Sequence, residues 1–496
     1  MIKRNKMDQD ASVQSISRKT SNGAATGSLR IIKPLVRPIK DLVKSKKGRA
    51  ENLWFWSSSE YNSNNAWDAN FSNGNFNNNS KYNSNALRPV VALDIDEIKD
   101  WILAFEDCCR GKRTSTQCIL YRLTYEFDLI RLAMEVKNGT YYPSVSTTFL
   151  VTRPKLREIF AANFRDRIVQ HWVTLRLNPI LEQRFESCGN VSFNCRLGYG
   201  TLASVLKLRD NIEEVSKSYT DRETYIGKFD MKGFFMSIDK RILLNLLIPF
   251  IRDNYKGDDI DKLIWLVQII ILHRPQSNCI RRGNVELWKD LPIHKSLFGN
   301  PDHLGMPIGN ITSQLLANFY LSFFDEYIVS LCGELGAKYI RFVDDFVVVG
   351  KSKKDIKFLQ HKADEFLKEK LGITLHKDKV YIQDAKKGVK FLGSVIRPGR
   401  IYLSNQTVGN FVDLIVKVEH LCHEIQKRTT GKRLIMLESY VSATNSYLGF
   451  LIQTNSYAIR YNIFESLHWF WLFCDVNEKT TKVSIREEYK LINYLK

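Results

Sequence analysis

The sequence lacks the cysteine spacing that zinc sites and disulfide-stabilised domains use. Its nine cysteines are scattered and odd in number, and no two of them form a CxxC pair. This distribution is typical of reduced thiols in a cytosolic protein. Neither a zinc centre nor a disulfide framework is therefore predicted.

Long apolar runs are also scarce. One of the longest, residues 263–272, is interrupted by Gln268 and is too short to cross a bilayer. The first ten residues are polar and charged, without the apolar core of a signal peptide. We therefore expect a cytoplasmic protein with no membrane partner.

Acidic residues are outnumbered, since 53 Asp and Glu stand against 73 Lys and Arg and the net charge is +20. Such an excess most often suits nucleic acid as the partner, ahead of anionic membranes. Residues 1–52 are predicted to be a disordered basic tail, because Ser, Lys and Arg dominate with little apolar periodicity. The remainder of the chain keeps about half of the positive excess, so the body itself is expected to bind a polyanion.

Residues 53–93 form an Asn-rich segment, in which 11 of the 24 residues from Asn62 to Asn85 are Asn. Asn is disfavoured in helices and strands, and such tracts are usually polar linkers. We expect the segment to be loosely ordered. Linkers seldom carry so many aromatic residues, however; these are Trp54, Trp56, Trp67, Phe71 and Phe76.

From about residue 94 the chain reads as mixed helices and strands. Apolar spacing predicts helices over 98–138, 157–179, 202–217, 356–371 and most of the chain after 405. Strands are predicted over 145–151, 224–229, 379–382 and 389–396, with a hairpin over 338–350. Because these elements do not alternate as regular βαβ units, the predicted fold class is α+β.

Two predicted strands each end at an acidic residue. KFDMKGFFMSID (228–239) contains Asp230, and YIRFVDDFVVVG (339–350) carries Asp344 and Asp345 at the hairpin tip. A nucleotidyl transferase needs carboxylates that hold two divalent cations at the attacking hydroxyl and the triphosphate. An isolated Asp-Asp pair is more typical of an ordinary turn. The surrounding motifs therefore decide between the two interpretations.

Two further motifs occur in order with these carboxylates. RPKLREIFAANFRDRIVQHW (153–172) is rich in Lys and Arg, which fits either a solvated helix face or a clamp on triphosphate and template. GMPIGNITSQLLANFYLSFFD (305–325) joins a Gly-containing turn to a helix. That pattern fits either a helix cap with core packing or a backbone platform under the nucleotide, where small residues permit close approach.

As a set, these motifs resemble those of a reverse transcriptase from about Ile98 onward. The resemblance implies a right-hand polymerase with N-terminal helices and fingers in 94–224. A palm with an antiparallel sheet would occupy 225–403, and a helical thumb 404–496. It also implies that Asp230 and Asp344, with the backbone carbonyl of Met231, hold two Mg²⁺ ions, which Mn²⁺ can replace. Asp345 would support them.

The resemblance implies roles for other residues. Phe235 stands where the family keeps an aromatic gate against a ribose 2′-hydroxyl. Lys379, in LHKDKVYI, matches a lysine that is proposed in the family to protonate the leaving pyrophosphate. A surface lysine is an equally good interpretation. Gly393, in VKFLGSVI, would lie at the turn of the primer-grip hairpin. The implied nucleotide-binding residues are Lys155, Arg157, Arg165, Phe235, Gly309 and Gln314.

The platform motif reads IGNITSQ where most reverse transcriptases have QGxxxSP; its residues of interest are Ile308, Gly309, Asn310, Ser313 and Gln314. This form, SFNCRLGYGT (192–201) and SYLGFLIQTNSY (446–457) resemble reverse transcriptases of diversity-generating retroelements. Those enzymes copy a template-repeat RNA with errors opposite adenine, and the cDNA replaces a variable repeat in a target gene. The implied partners are that RNA, a DNA primer, dNTPs and a small, basic, oligomeric accessory protein.

The resemblance also suggests an origin for the Asn-rich segment, since WFWSSSEYNSNNAW (54–67) is similar to the lectin-like variable proteins that such elements diversify. Asn codons are AAC or AAT; both adenines can vary without ever creating a stop codon, which ends in a purine. The hypothesis is that residues 53–93 are a translated template repeat. The alternatives are another bacterial reverse transcriptase (group II intron, retron or phage-defence type), an inert RNA-binding protein on a polymerase scaffold, or a surface-recognition protein.

Overall fold

The computed structural model describes residues 54–60, 65–70, 75–80, 95–152, 155–220 and 223–494. The chain divides into two compact units, Met1–Tyr142 and Pro143–Lys496. The disordered tail predicted for residues 1–52 lies outside the described residues. Within the Asn-rich segment the structure describes three antiparallel strands in the order β1-β2-β3, namely β1 (Trp54–Glu60), β2 (Asn65–Asn70) and β3 (Asn75–Ser80).

Three helices complete the described part of the first unit: α1 (Ile95–Cys109), α2 (Thr116–Arg122) and α3 (Tyr125–Lys137). They occupy the predicted helical region 98–138. Apolar residues spaced three and four apart bury one face of α3, including Leu129, Leu132 and Val136. The ring of Phe105 on α1 stacks on Tyr125 at 5.0 Å between centroids, which ties the first and third helices together.

The second unit begins with a small sheet in the order β5-β4-β7, formed by β4 (Ser146–Val151), β5 (Arg157–Ala161) and β7 (Cys279–Arg281). The helix predicted from residue 157 is wrong at its start. Residues 157–161 pair antiparallel with β4, and alternate side chains, Glu158 and Phe160, are buried. The helix α4 (Phe164–Ser187) begins only after Asn163, whose side chain accepts from the Arg165 N–H.

The central sheet has the order β10-β6-β9-β8 and is antiparallel throughout. Its strands are β6 (Tyr225–Asp230), β8 (Lys338–Phe342), β9 (Asp345–Gly350) and β10 (Tyr381–Asp384). Three helices pack against it: α5 (Thr201–Val215), α9 (Ile311–Glu334) and α10 (Lys353–Leu371). The strands bury apolar residues on both faces, so this sheet forms the centre of the core. The predicted α+β class and the antiparallel palm sheet are confirmed.

Between β6 and α9 the chain forms α6 (Phe234–Ser237), α7 (Lys240–Asn254) and α8 (Ile260–Leu272). Short 3₁₀ turns follow at Pro275–Ser277, Val285–Asp290, Ile293–Lys295 and Leu297–Gly299. In the described part of the chain, one helix, α9, is long and apolar enough to cross a membrane. Its most apolar window is 67% buried inside the protein, as expected for a helix that packs on α4 and β8.

The rest of the second unit is a small antiparallel sheet followed by helices. The sheet contains β11 (Val389–Phe391), β12 (Ser394–Arg397) and β13 (Arg400–Leu403), preceded by 3₁₀ turns at Lys377–Lys379 and Ala385–Lys387. The helices are α11 (Asn405–Lys427), α12 (Gly431–Leu451), α13 (Tyr457–Glu465), α14 (Phe470–Phe473) and α15 (Leu491–Tyr494). A hairpin of β14 (Cys474–Val476) and β15 (Val483–Ile485) and a 3₁₀ turn at Glu487–Tyr489 lie before α15. The helices in the region predicted as a thumb, after residue 404, share a buried apolar cluster.

Candidate active site

Three carboxylates meet at one end of the central sheet. Asp230 is the last residue of β6, and it pairs across the ladder with Asp345, the first residue of β9. The backbone N–H of Met231 donates to the carbonyl of Asp344 at 3.2 Å, which fixes the turn beside the end of β6. Antiparallel pairing therefore brings the two predicted acidic motifs together.

Lysine side chains neutralise part of this negative charge. The Lys379 Nζ contacts Oδ2 of Asp230, and the Lys228 Nζ lies 3.6 Å from Oδ2 of Asp345. The Lys379 segment is anchored to the sheet because the His376 N–H donates to the Asp230 carbonyl at 2.8 Å. Burial, followed by the charges of Lys155 and Lys228, lowers the pKa of Lys379. A lowered pKa makes the ammonium a better proton donor.

Asp344 differs from an ordinary exposed carboxylate. Burial raises its pKa to about 6, and the neighbouring charge of Asp345 adds to the effect. The positive charges of Arg157 and Lys155 act in the opposite direction. These two members of the predicted basic clamp therefore lie close enough to influence the carboxylates, whereas Arg165 lies in the first turn of α4.

The turn that carries Asp344 has an unusual backbone. Val343 adopts a φ of 58°, in the left-handed region, which costs an L-residue about 1–2 kcal/mol. Two side chains hold its peptide groups: its N–H donates to Asn194 Oδ1 at 2.9 Å, and its carbonyl accepts at 3.0 Å from Nη1 of Arg341, two residues earlier on β8. The geometry of the turn is thus imposed from outside it.

Arg341 itself lies in a buried polar network beneath the turn. Its guanidinium binds both carboxylate oxygens of Asp325 on α9, and Nη2 also donates to Asn318 Oδ1 at 2.9 Å. The Tyr339 hydroxyl donates to the same Asp325 at 2.7 Å. Both ion-pair partners are almost fully buried, with side-chain exposures of 0% and 1%. Sequence reasoning missed this network, because Arg341 reads only as part of a strand.

The predicted platform lies directly against β5. The Ile308 carbonyl accepts from the Phe160 N–H at 2.8 Å. Gly309 has a φ of +123°, and a Cβ there would lie 2.8 Å from the Phe160 carbonyl oxygen, so only glycine fits. Asn310 Oδ1 accepts from the Ala162 N–H at 3.4 Å.

On the first turns of α9, Ser313 is buried, and Gln314 Oε1 accepts from the Cys195 thiol at 3.3 Å. Phe235 and Ile308, the predicted gate and the start of the platform, both pack on a small cluster of Phe160, Met236 and Leu297. The structure therefore brings the predicted gate and platform together on the same support.

Gly393 lies at the turn between β11 and β12, as the motif predicted for the primer-grip hairpin. Its φ is +84°, and that of Leu392 is 45°. The Gly393 carbonyl accepts from the Thr407 hydroxyl at 2.7 Å and from the Ser404 N–H at 2.9 Å. The hairpin is thereby fixed to the N-terminus of α11.

A buried glutamate stabilises the region around the platform and was also missed from the sequence. Glu158 on β5 is 1% exposed. Its carboxylate accepts from Trp288 Nε1, the Ser296 hydroxyl and the Leu297 N–H, each at 2.8 Å. No spacing in REIFA singles out Glu158, because the two charged residues come first and only the pairing with β4 turns Glu158 inward.

The donor set suits Mg²⁺ bound with substrate. In the part of the chain that the structure describes, no group of three or more His, Cys, Asp or Glu side chains is arranged to hold a metal ion alone. Mg²⁺ is usually held by one or two carboxylates together with substrate phosphates and water. Asp230, Asp344 and the Met231 carbonyl fit that pattern, and the pKa of Asp344, raised by burial and then by the charge of Asp345, shows a carboxylate whose ionised form a cation would stabilise.

The site lies within a match to a known protein family. Residues 151–396 match the family model described as "Reverse transcriptase (RNA-dependent DNA polymerase)". That range contains Asp230, Asp344, Lys379 and the platform.

Among curated proteins, the group II intron-encoded protein LtrA of Lactococcus lactis subsp. cremoris is 22% identical over 392 residues, which cover 64% of this chain and 59% of LtrA. Protein YkfC of Escherichia coli (strain K12) is 23% identical over 304 residues, covering 55% of this chain and 71% of YkfC. The chain thus spans about 59% of the length of LtrA. Among solved structures, apo telomerase from Candida tropicalis has a TM-score of 0.40 at 13% identity, covering 65% of this chain and 61% of that one.

Proposed function

Because this chain contains a reverse transcriptase domain in residues 151–396, we propose that it extends a DNA primer along an RNA template as an RNA-directed DNA polymerase. The observation that carries the proposal is the convergence of Asp230 with Asp344 and Asp345 at one end of the central sheet. These residues come from distant segments of the sequence, so a simple local turn does not account for the cluster.

In this mechanism Asp230, Asp344 and the Met231 carbonyl would hold Mg²⁺, or Mn²⁺ in its place. When bound, such ions neutralise the triphosphate and favour in-line attack by the primer hydroxyl. The positive charges of Lys155 and Arg157 near Asp344 would orient the triphosphate. Lys379, whose pKa is lowered, would donate a proton to the leaving pyrophosphate.

Other predicted site residues would bind the substrates. The Phe235 ring would select deoxynucleotides by contact at the ribose, and the backbone around Gly309 would support the incoming nucleotide. The Gly393 turn would contact the primer strand. Arg165, near the start of α4, would bind triphosphate or template.

The activity is tested by primer extension on an RNA template with the wild-type chain, Asp344→Ala and Asp378→Ala. Asp378 is a matched control because its side chain is 92% exposed and it lies next to Lys379. We expect no product from Asp344→Ala and wild-type product from Asp378→Ala. Undiminished synthesis by Asp344→Ala would contradict the metal assignment.

We further propose that the enzyme belongs to a diversity-generating retroelement. It would copy a template-repeat RNA with errors opposite adenine, together with a basic oligomeric accessory protein, in the bacterial cytoplasm. The support is the IGNITSQ platform and the Asn-rich segment 53–93, whose codons tolerate change at adenine. In the IGNITSQ platform, Gln314 and the residues around Gly309 would hold the template base and the nucleotide less tightly than the QGxxxSP platform of most reverse transcriptases does.

A group II intron-type reverse transcriptase is the second candidate, favoured by the similarity to LtrA. Sequencing of cDNA made with accessory protein, template RNA, dNTPs and Mg²⁺ separates the two. Errors concentrated at template adenines support the retroelement assignment. Faithful copying across adenines would favour the intron type and leave the polymerase proposal intact.

The template-repeat hypothesis has its own test. Deletion of residues 1–93, with the RNA supplied separately, is expected to leave polymerisation intact. The encoding DNA is also expected to have a near-identical copy in a neighbouring gene that differs at adenines. Absence of that copy would refute the hypothesis, and loss of activity on deletion would show that residues 1–93 are needed for polymerisation.

A further inference from the structure

The segment that follows α4 lies along the edge strand β8 of the central sheet. The Arg341 N–H donates to the Val191 carbonyl at 2.8 Å, and the Phe193 N–H donates to the Arg341 carbonyl at 3.0 Å. Ser192 and Arg341 form a parallel bridge. The segment therefore runs beside β8 as a short additional strand and delivers the next residue, Asn194, to the end of β8.

Asn194 is placed where it can control the catalytic turn. It is 6% exposed, and its Oδ1 accepts from the Val343 N–H at 2.9 Å. Its own carbonyl accepts from Asn318 Nδ2 at 3.3 Å. Asn318 in turn binds Arg341, which holds the Val343 carbonyl. Asn194 and Arg341 thus bind the N–H and the carbonyl of Val343, the residue that precedes Asp344.

Contacts of Arg196 hold the segment in place. Arg196 donates to the Ser192 carbonyl at 3.0 Å and forms an ion pair with Glu182 at 2.9 Å. Its guanidinium also lies 3.9 Å from the centre of the Tyr199 ring. Because these contacts fix the segment to α4, Asn194 acts as a rigid support for the turn.

We propose that Asn194 is a positioning residue that keeps the Val343 backbone in its left-handed conformation and thereby orients Asp344 toward the metal ions. The proposal rests on the proposed polymerase function. Asn194 does not itself touch substrate or metal in this role. Its contribution passes through the hydrogen bond to the Val343 N–H.

A role in general stability is the alternative, and a matched asparagine distinguishes the two. The Asn445 side chain also binds the backbone of a single residue: its Nδ2 donates to the Val483 carbonyl and its Oδ1 accepts from the Val483 N–H, both at 2.8 Å. It lies on α12, in the helical thumb. Asn445→Ala therefore removes a comparable set of bonds away from the carboxylates.

The experiment measures Mn²⁺ binding by electron paramagnetic resonance, which needs no turnover, in complexes with RNA template, dideoxy-terminated DNA primer and matching dNTP. The proteins compared are the full-length wild-type chain, Asn194→Ala and Asn445→Ala. We expect both variants to melt at a lower temperature. Only Asn194→Ala should bind Mn²⁺ more weakly, by about tenfold, as the loss of one buried hydrogen bond allows. Wild-type Mn²⁺ affinity in Asn194→Ala would overturn the proposal.

A second substitution tests the backbone directly. Glycine adopts a positive φ without strain, so Val343→Gly should reduce the need for Asn194. We expect the change in Mn²⁺ affinity caused by Asn194→Ala to be smaller in a Val343→Gly background. If Asn194→Ala alone does not fold, the double variant should fold and bind Mn²⁺. Failure of both to fold would assign Asn194 to general stability and overturn the proposal.

The outcome for the proposed function remains separate. A wild-type chain that binds Mn²⁺ but extends no primer would contradict the polymerase function without touching the role of Asn194. Equal Mn²⁺ binding by the wild type and Asn194→Ala, with active polymerase in both, would reject only the positioning role. Absence of Mn²⁺ binding in the wild type would reject the metal assignment on which the proposal rests.

Discussion

Two hairpin turns in this protein share a backbone feature but obtain it differently. In the turn between β8 and β9, Val343 has a φ of 58°; in the turn between β11 and β12, Leu392 and Gly393 have φ values of 45° and 84°. The second turn contains glycine, which adopts this conformation readily. The first has a β-branched residue, and its conformation depends on Asn194 and Arg341.

The two turns differ in whether nearby or distant residues fix their backbone conformation. Gly393 and its contacts with Ser404 and Thr407 lie within 14 residues of each other, so the local sequence largely encodes that turn. One of the two side chains that support Val343, that of Asn194, lies 149 positions away. The predicted catalytic turn is therefore sensitive to substitutions far from the carboxylates in the sequence.

The largest expected effect is on the long-range side of this comparison. Arg341→Met leaves Asp325 buried without its partner, and we expect the free energy of unfolding to fall by about 3–5 kcal/mol. Chemical denaturation measures the change. Arg397→Met, at an exposed position on β12, is the matched control and should alter stability by less than about 0.5 kcal/mol. Equal small losses in both would show that the buried network contributes little.

Burial of Asp344, together with the charge of Asp345, gives the next effect. Because the pKa of Asp344 is raised to about 6, the folded protein binds a proton there that the unfolded chain has released. Its ionisation therefore destabilises the fold as pH rises through about 4 to 6. In metal-free buffer at pH 7.5, Asp344→Asn should be more stable than the wild type by about 3 kcal/mol.

The same variant tests the direction of the pKa shift of Asp344. The difference between the wild type and Asp344→Asn should shrink as the pH is lowered through 6, because Asp344 then becomes neutral. Added Mg²⁺ should stabilise the wild type and not the variant. Thermal melts at several pH values follow both trends. A difference that grows at low pH would contradict the raised pKa.

A smaller effect is expected at the local turn. Gly393→Ala forces an L-residue into positive φ and places its Cβ 2.8 Å from the Thr407 hydroxyl oxygen, so stability should fall by about 1–2 kcal/mol. Gly409→Ala, on α11 with no atom within 4 Å of the new Cβ, should instead stabilise the helix by up to about 1 kcal/mol. Two changes of the same sign would mean that backbone conformation does not decide the outcome at Gly393.

The sequence predicted most of the fold where patterns are local. The hairpin over residues 338–350, the helix over 356–371 and the turn at Gly393 were recognisable from alternation, amphipathic spacing and glycine. The start of α4 was missed because the apolar spacing of REIFA suits a helix, whereas pairing with β4 makes it a strand. Tertiary contact overrode the local pattern there.

The candidate site was predictable in its reacting groups but not in their supports. Asp230, Asp344 and Lys379 stand in motifs of recognisable order. Asn194 and Glu158 act through partners that are distant in sequence, and Arg341 acts within a buried network that includes Asp325 and Asn318 on α9; spacing along the chain carries no sign of these contacts. Their positions became apparent only from the hydrogen bonds of the folded protein.

The smallest expected effect concerns the contact between the Asn194 segment and the platform. Cys195→Ala removes the thiol that donates to Gln314 Oε1, a weak bond, so stability should change by less than about 0.5 kcal/mol. The freed Gln314 should change the pattern of misincorporation in sequenced cDNA. Cys195→Ser keeps a donor and should retain the wild-type pattern of misincorporation. Identical patterns in all three proteins would show that the Cys195–Gln314 hydrogen bond does not affect misincorporation.

The most direct test of the central claim counts metal ions at the converging carboxylates. Mn²⁺ bound to a complex with RNA template, dideoxy-terminated DNA primer and matching dNTP is measured by electron paramagnetic resonance for the wild type, Asp230→Asn and Asp378→Asn. We predict about two ions per chain for the wild type and Asp378→Asn, and a loss of binding in Asp230→Asn. Undiminished Mn²⁺ binding by Asp230→Asn would contradict the assignment of this site.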